Sequence, residues 1–186
     1  TSMKSVGEAM AIGRNFKESL QKALNSLEIG LSGLDQIFNF STKEITKNLK
    51  TNIPNRILLV AEALRKKFTI SKIHKLSGID PWFIDQIKEI IDAEKLIRSK
   101  GIPKKFNEFN KIKSIGFSDK KIAQLCNVEE KIVRKKREAL KIFPVYKKVD
   151  TCAAEFKSYT PYMYSTYQRN FTTYSECESD PSKKNK

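Results

Sequence analysis

The sequence is short of histidine, cysteine and glycine, and it lacks any long apolar run. Each shortage closes off a class of function. Its one histidine, His74, lies between Ile73 and Leu76 with no His, Cys or carboxylate four residues away on either side. No metal set can be built around it along a helix, and it reads as a surface or locally satisfied side chain. The three cysteines, Cys126, Cys152 and Cys177, are an odd number without a short repeating spacing. They form neither a disulfide framework nor a C-x-x-C metal site, and reduced thiols are the expectation. Cys126 ends an apolar helix and is expected to be buried. Cys152 has nothing nearby to activate a thiolate, so small-residue packing is its reading. No apolar stretch approaches the ~20 residues of a membrane span. Gly, Glu and Arg follow Thr1–Lys4 too soon for a signal-peptide apolar region, so the expected compartment is the cytoplasm. Gly30 and Gly33 are not followed by a Lys-Ser/Thr pair, so no phosphate loop of the G-x-x-x-x-G-K form is present. Asp150 and Glu155 are the only acid–base pair to consider, and no pocket or orienting partner accompanies them. The sequence therefore supplies no catalytic, cofactor-binding or metal-ligating residue set.

What is present is basic charge and helical periodicity. Among 186 residues, 36 Lys and Arg face 21 Asp and Glu, a net charge of +15. That balance fits nucleic acid, an acidic surface, or one part of a longer chain whose other parts are acidic. With 39% hydrophobic and 10% aromatic residues the chain can build a core and is not globally disordered.

Helix signals fill residues 15–143. Asn15-x-x-Glu18 has the form of a capping box, and Phe16, Leu20, Ala23, Leu24 and Leu27 make a stripe that Gly30 is expected to end. Leu34, Ile37 and Phe38 anchor a loop over 31–41. A short helix is predicted over 42–50. Pro54 suits the first position of the next helix, whose Ile57, Leu58, Ala61 and Leu64 recur on one face up to Lys67. Thr69 opens a short helix that Gly78 ends. Asp80 caps a long one with Pro81 at its first position. Phe83, Ile84, Ile87, Ile90, Ile91 and Ala93–Ile97 form its apolar face, closed by Gly101 and Pro103. A further helix covers 106–114 and ends at Gly116.

The pattern then repeats. At an offset of 49 residues Phe68 aligns with Phe117, Thr69 with Ser118, Lys72 with Lys121, Ile73 with Ile122, Leu76 with Leu125 and Ile79 with Val128. Each copy reads aromatic, hydroxyl cap, short helix, tight turn, longer helix. This is a duplicated helix-turn-helix unit, and two copies make a compact all-α body rather than a solenoid. The second copy also resembles a DNA-reading helix-turn-helix. Ile122, Ala123 and Leu125 would be its first-helix core, Asn127 its turn, and Ile132 and Val133 its second-helix core. Arg134, Lys135, Lys136 and Arg137 of the basic helix 129–141 would contact phosphate. Two observations weigh against this and for a packing unit with a solvated basic face. The sister copy places Asp80, Asp85 and Glu89 along its long helix, and the two ends of the chain point elsewhere.

Residues 144–168 break the helical pattern. Pro144 and Pro161 bracket most of YKKVDTCAAEFKSYTPYMYSTY. Val145, Tyr146, Val149, Tyr159, Tyr162, Tyr164 and Tyr167 suit an extended chain packed on other structure. VYKKVDTCAAEF followed by YMYSTY resembles the segment just before the second synthetase half of the carbamoyl phosphate synthetase large chain. Residues 3–14, MKSVGEAMAIGR, resemble the last strands of that family's first ATP-grasp unit. The two motifs stand in the family's order, while RNFTTYS, 169–175, departs from its pattern.

The resemblance implies a domain plan. Residues 1–14 would be the end of the first ATP-grasp (carboxyphosphate) domain and 15–143 a helical oligomerisation and connection domain. Residues 144–168 would be an extended arm, and 169–186 a polar linker to a second synthetase half. The fold class is mainly α, a compact helical domain with a duplicated helix-turn-helix unit and extended arms at both ends. The parent would make carbamoyl phosphate from bicarbonate, ATP and glutamine-derived ammonia. It would use ATP and Mg2+ outside this segment, with a glutamine amidotransferase small subunit as partner. The implied partners of the segment itself are the two synthetase halves and further copies of the chain, with neither membrane nor nucleic acid. A stand-alone nucleic-acid binder and an autonomous small enzyme are the competing classes.

Overall fold

Short polar side chains set most of the helix starts. In the computed structural model, which describes residues 8–152, 155–156, 162–167 and 177–179, the elements run α1 Phe16–Ser26, α2 Thr42–Leu49, α3 Arg56–Arg65, α4 Ile70–Ser77, α5 Pro81–Lys100, α6 Phe106–Ser114, α7 Asp119–Cys126 and α8 Glu130–Ala139, then β1 Val145–Lys148 and β2 Met163–Thr166. Asn15, Ser41, Thr69, Asp80 and Ser118 each accept a first-turn backbone N–H through their side chains. Each satisfies a donor the helix cannot. The strands pair antiparallel, Val145 opposite Thr166 and Lys148 opposite Met163.

The structure corrects several local expectations. Glu18 reaches back to the N–H of Arg14 rather than closing the box on its own cap residue. The first helix stops at the Leu27 cap, with Glu28 already left-handed at φ 54°, so Gly30 lies beyond the stop. Asn55, at φ 60°, is the cap of α3, which places Pro54 ahead of the cap instead of inside the helix. That helix ends at Arg65, short of Lys67. Ile37 is exposed and anchors nothing. Cys126 is half-buried, and burial pushes its thiol pKa up. Tyr159, Pro161 and the RNFTTYS segment lie outside the described residues.

One core runs through the helical body. Leu58 to Leu64 of α3 are buried all round, a pattern of a central helix. Ile84, Ile87, Ile90, Ile91 and Ile97 of α5 pack with it, joined by Ile73, Phe109, Phe117, Ile122 and Val133. The duplication holds in three dimensions. Phe68 N–H donates to Ala63 O in the first copy and Phe117 N–H to Ile112 O in the second. Thr69 and Ser118 cap their helices on Lys72 and Lys121. Gly78 and Asn127 both turn in the left-handed region. At the same offset α6 falls on α3, so each copy is a three-helix unit, α3–α5 and α6–α8. The second long helix has 10 residues against 20 in the first. Among the described residues no helix is long and apolar enough to cross a membrane.

Candidate functional site: a clamp on both ends of the helical body

Glu18 and Lys22 stand one turn apart on α1, the spacing that lets a carboxylate and an ammonium meet on one helix face. Their ion pair measures 2.9 Å. Periodicity would leave both in water, yet Glu18 is only 1% exposed. The reason is what lies on them. Glu18 Oε2 accepts the N–H of Arg14 at 2.8 Å and the hydroxyl of Thr166 at 3.2 Å. Lys22 Nζ donates to Ile12 O at 3.0 Å and to Ser165 O at 2.5 Å. The segment leading into the body (12–14) and the strand leaving it (165–166) are thus tied to the same two side chains. Ammonium and carboxylate each replace lost water with charge-assisted bonds, the stronger kind.

Next along the strand, Tyr167 lies against a second charged group. Its ring centroid is 4.8 Å from Lys113 Nζ and 6.0 Å from the Arg137 guanidinium. Asp119 sits between these cations, 2.7 Å from Lys113 Nζ and 2.9 Å from Arg137 Nε. Burial alone would raise the Asp119 pKa, but the charge of Lys113 and the bonds from both cations outweigh it and hold the carboxyl below its usual range. Burial lowers the Lys113 pKa, against the opposing pull of Asp119. Burial also pushes the Tyr167 hydroxyl up. A cleft of about 450 Å³ lies between this group and the clamp, lined by Glu18, Gln21, Lys113, Asp119 and Tyr167 among others.

A third charged group ties the loop before α2 to the core. Arg65 bonds Leu34 O and pairs with Glu94 at 2.8 Å; Lys121 pairs with Asp35 at 2.5 Å and approaches Glu94 at 3.4 Å. Gly116 makes the packing of α1 on α6 possible. Its φ is +99°, and a Cβ there would come 3.0 Å from Glu18 Cα. Beyond the clamp, Glu178 accepts the N–H of Lys148 at 2.7 Å and donates its own N–H to Tyr146 O at 2.7 Å. It thereby lies along β1.

Several residues singled out in the sequence take ordinary places. His74 is exposed and its Nδ1 bonds Ile79 O at 2.8 Å. Asp150 accepts the N–H of Cys152 at 2.9 Å, a local turn bond, and Glu155 is exposed. Of the cations read as phosphate contacts, Arg137 is corrected. It is 8% exposed, with Asp119 and Ile142 O on its guanidinium. Arg134 pairs with Glu130 on its own helix, while Lys135 and Lys136 are exposed. Sequence reasoning singled out Glu18 only as a cap partner and Lys121 only as a repeat position, and it missed Lys22, Lys113 and Glu94. Glu94 lies inside the apolar run Ala93–Ile97, the one available hint.

The family model for the carbamoyl-phosphate synthetase large chain, oligomerisation domain, matches residues 8–141, the helical body with its leading segment. The chain belongs to this family. Three large chains of carbamoyl phosphate synthase are similar over all of it. That of Neisseria meningitidis serogroup B is 50% identical over 188 residues, 17% of its length. That of Haemophilus ducreyi is 47% identical over 187 residues, 17% of its length. That of Brucella melitensis biotype 1 is 44% identical over 192 residues, 16% of its length. The chain therefore spans about a sixth of the length of these relatives.

Proposed function

We propose that this chain is the non-catalytic connecting and self-associating segment of a glutamine-dependent carbamoyl phosphate synthetase large chain. The parent reaction is an ATP-dependent carbon–nitrogen ligation serving pyrimidine and arginine synthesis in the cytoplasm. It joins bicarbonate to ammonia released from glutamine on a small amidotransferase subunit. ATP and Mg2+ act in the flanking synthetase halves. Among the described residues no group of three or more His, Cys, Asp or Glu could hold a metal ion.

The observation that carries this reading is the clamp on α1. Residues 1–14 would end the first ATP-grasp domain, 15–143 form the connection body, 144–168 the arm, and 169–186 the linker. With Ile12 and Ser165 on one ammonium, the body fixes how the two flanking halves are spaced. Fixed spacing is what a labile intermediate needs when it must pass between two sites without meeting bulk water.

Lys22→Met in the whole parent polypeptide tests this. The expected result is more ATP consumed per carbamoyl phosphate formed, with each half's own ATP turnover retained. Unchanged coupling would refute the clamp's role. A native gene product of about 21.4 kDa, rather than several times heavier, would mean a split or remnant chain, and the test would then be whether separate synthetase halves co-purify with it.

A further inference from the structure

Two buried polar atoms in the wall of the cleft beside the clamp are left without partners. Gln21 is 2% and Ser32 3% exposed, and both line the cleft. Among the described residues neither Gln21 Oε1 nor Ser32 Oγ has a hydrogen-bond partner. Folded proteins leave few such atoms unpaired, and each calls for a reason. The Gln21 amide donates from Nε2 to Ile115 O at 2.7 Å, which fixes Oε1 as the open atom, an acceptor only. The two groups adjoin. A Cβ on Gly33, the residue after Ser32, would come 3.0 Å from Gln21 Oε1.

Most charges around the cleft are already committed. Lys22 bonds Glu18, Ile12 O and Ser165 O. Lys113 and Arg137 share Asp119, and Glu130 pairs with Arg134 at 3.0 Å. The lining cation that remains is Lys120, exposed and without an anionic partner among the described residues. It stands in the first turn of α7, after Ser118 and Asp119. Ser118 Oγ takes the N–H of Lys121 at 3.0 Å, and the N–H groups of Asp119 and Lys120 have no carbonyl one turn back. An ammonium and a helix start both favour an anion. Gly116, two residues before Ser118, packs on Gln21, for a Cβ there would come 3.1 Å from Gln21 Cβ. One small molecule can therefore reach from Gln21 to the start of α7. The cleft of about 450 Å³ has the size of a small-molecule site, typically about 300–1,000 Å³.

We propose that this cleft binds a small carboxylic acid that carries a primary amide at its other end. The amide N–H groups would donate to Gln21 Oε1 and Ser32 Oγ. The carboxylate would meet Lys120 and the open N–H groups of α7. A separate observation sets each end. A neutral N–H donor suits two uncharged acceptors, whereas an ammonium would bring a buried charge to a place where the neighbouring carboxylates are already paired. A carboxylate suits the one lining cation still without a partner. A single water would satisfy Gln21 and Ser32 but leave Lys120 and most of the volume unused. Ser165 and Tyr167 form part of the wall, so an occupant joins the departing strand to α1 and α7 and steadies the clamp.

Succinamate is the probe, titrated into the 186-residue chain and followed by amide chemical shifts. The expected result is saturable binding, with shifts at Gln21, Ser32, Asp119 and Lys120 and slower proteolysis at 163–167. Succinate has nearly the same shape without the N–H donors, and butyramide lacks the carboxylate. Each should bind about fivefold more weakly, the contribution of one hydrogen bond. Ser32→Ala should weaken succinamate by a similar factor and leave succinate unaffected. Lys120→Ala should weaken both acids and leave butyramide unaffected. Neither side chain holds another described protein group, so helical circular dichroism should not change. Absence of saturable binding would overturn the proposal and leave Gln21 Oε1 to water. Succinate binding as tightly as succinamate would overturn it in favour of an anion site alone. Binding unchanged by both substitutions would put the molecule elsewhere and overturn it as well.

Discussion

Replacing Asp119 by Asn should be among the most damaging single changes in the helical body. The side chain keeps its size and loses its charge. Lys113 and Arg137, with side chains 4% and 10% exposed, are then left as neighbouring cations with no anion between them. Removing one partner from a buried ion pair costs about 3–5 kcal/mol, because the other charge stays out of water. Here Lys113 is left against the Tyr167 ring face, while Arg137 keeps Ile142 O at 2.8 Å and Glu138 at 3.8 Å. For a chain of this size each kcal/mol moves the melting temperature by about 2–4 °C, so the expected fall is roughly 6–20 °C. Such a loss is a large part of the 5–15 kcal/mol that typically holds a domain together. Urea unfolding, followed by circular dichroism and by Trp82 emission, measures it. The companion variant Lys113→Met, Asp119→Leu, Arg137→Met removes all three charges and should recover most of the stability, as apolar replacement of buried ion groups often does. A loss below about 1 kcal/mol for Asp119→Asn, the size of an exposed pair, would refute the reasoning.

The same carboxyl gives a pH signature. Its folded pKa lies below the unfolded value, so its stabilisation is complete above about pH 4 and is lost as pH falls through the depressed folded value. The unaltered chain should lose stability over that acid window, and Asp119→Asn should lose correspondingly less, as read from urea midpoints. Gly116→Ala should cost more than Gly30→Ala. Both need positive φ, but only at 116 would a Cβ meet backbone, 3.0 Å from Glu18 Cα. Beyond the roughly 1 kcal/mol of left-handed strain shared by both, Gly116→Ala should loosen α1 from α6, seen as faster hydrogen exchange in α1. Equal melting of the two variants would count against that close approach. Lys22→Met should speed proteolysis at both residues 8–14 and 163–167, while Lys17→Met, which lacks bonds to either segment, should speed neither.

Local rules explain how much of this fold was readable. Caps act over three residues, so Asn15, Thr69, Asp80 and Ser118 declared their helices from sequence alone. The apolar stripes did the same for the core face of α5, and the offset of 49 exposed the duplication. Boundaries that turned on a left-handed residue other than glycine, Glu28 and Asn55, were misread as stops or starts at Gly30 and Pro54. Glu adopts that conformation rarely, and Asn adopts it more readily than most residues but also fits many others, so neither marks a boundary by itself.

The ends of the chain carry the family in their linear motifs, and the helical body carries its own fold class in its periodicity. Both are properties of neighbours along the sequence. The fate of the charges is not. Arg65 meets Glu94 across 29 residues and Thr166 meets Glu18 across 148. A lysine or glutamate on a helix reads as solvated whether or not another helix lies over it. Only the tertiary structure decided that Glu18, Lys113, Lys121 and Arg137 leave water, because a buried charge is tolerable only where folding delivers its partner.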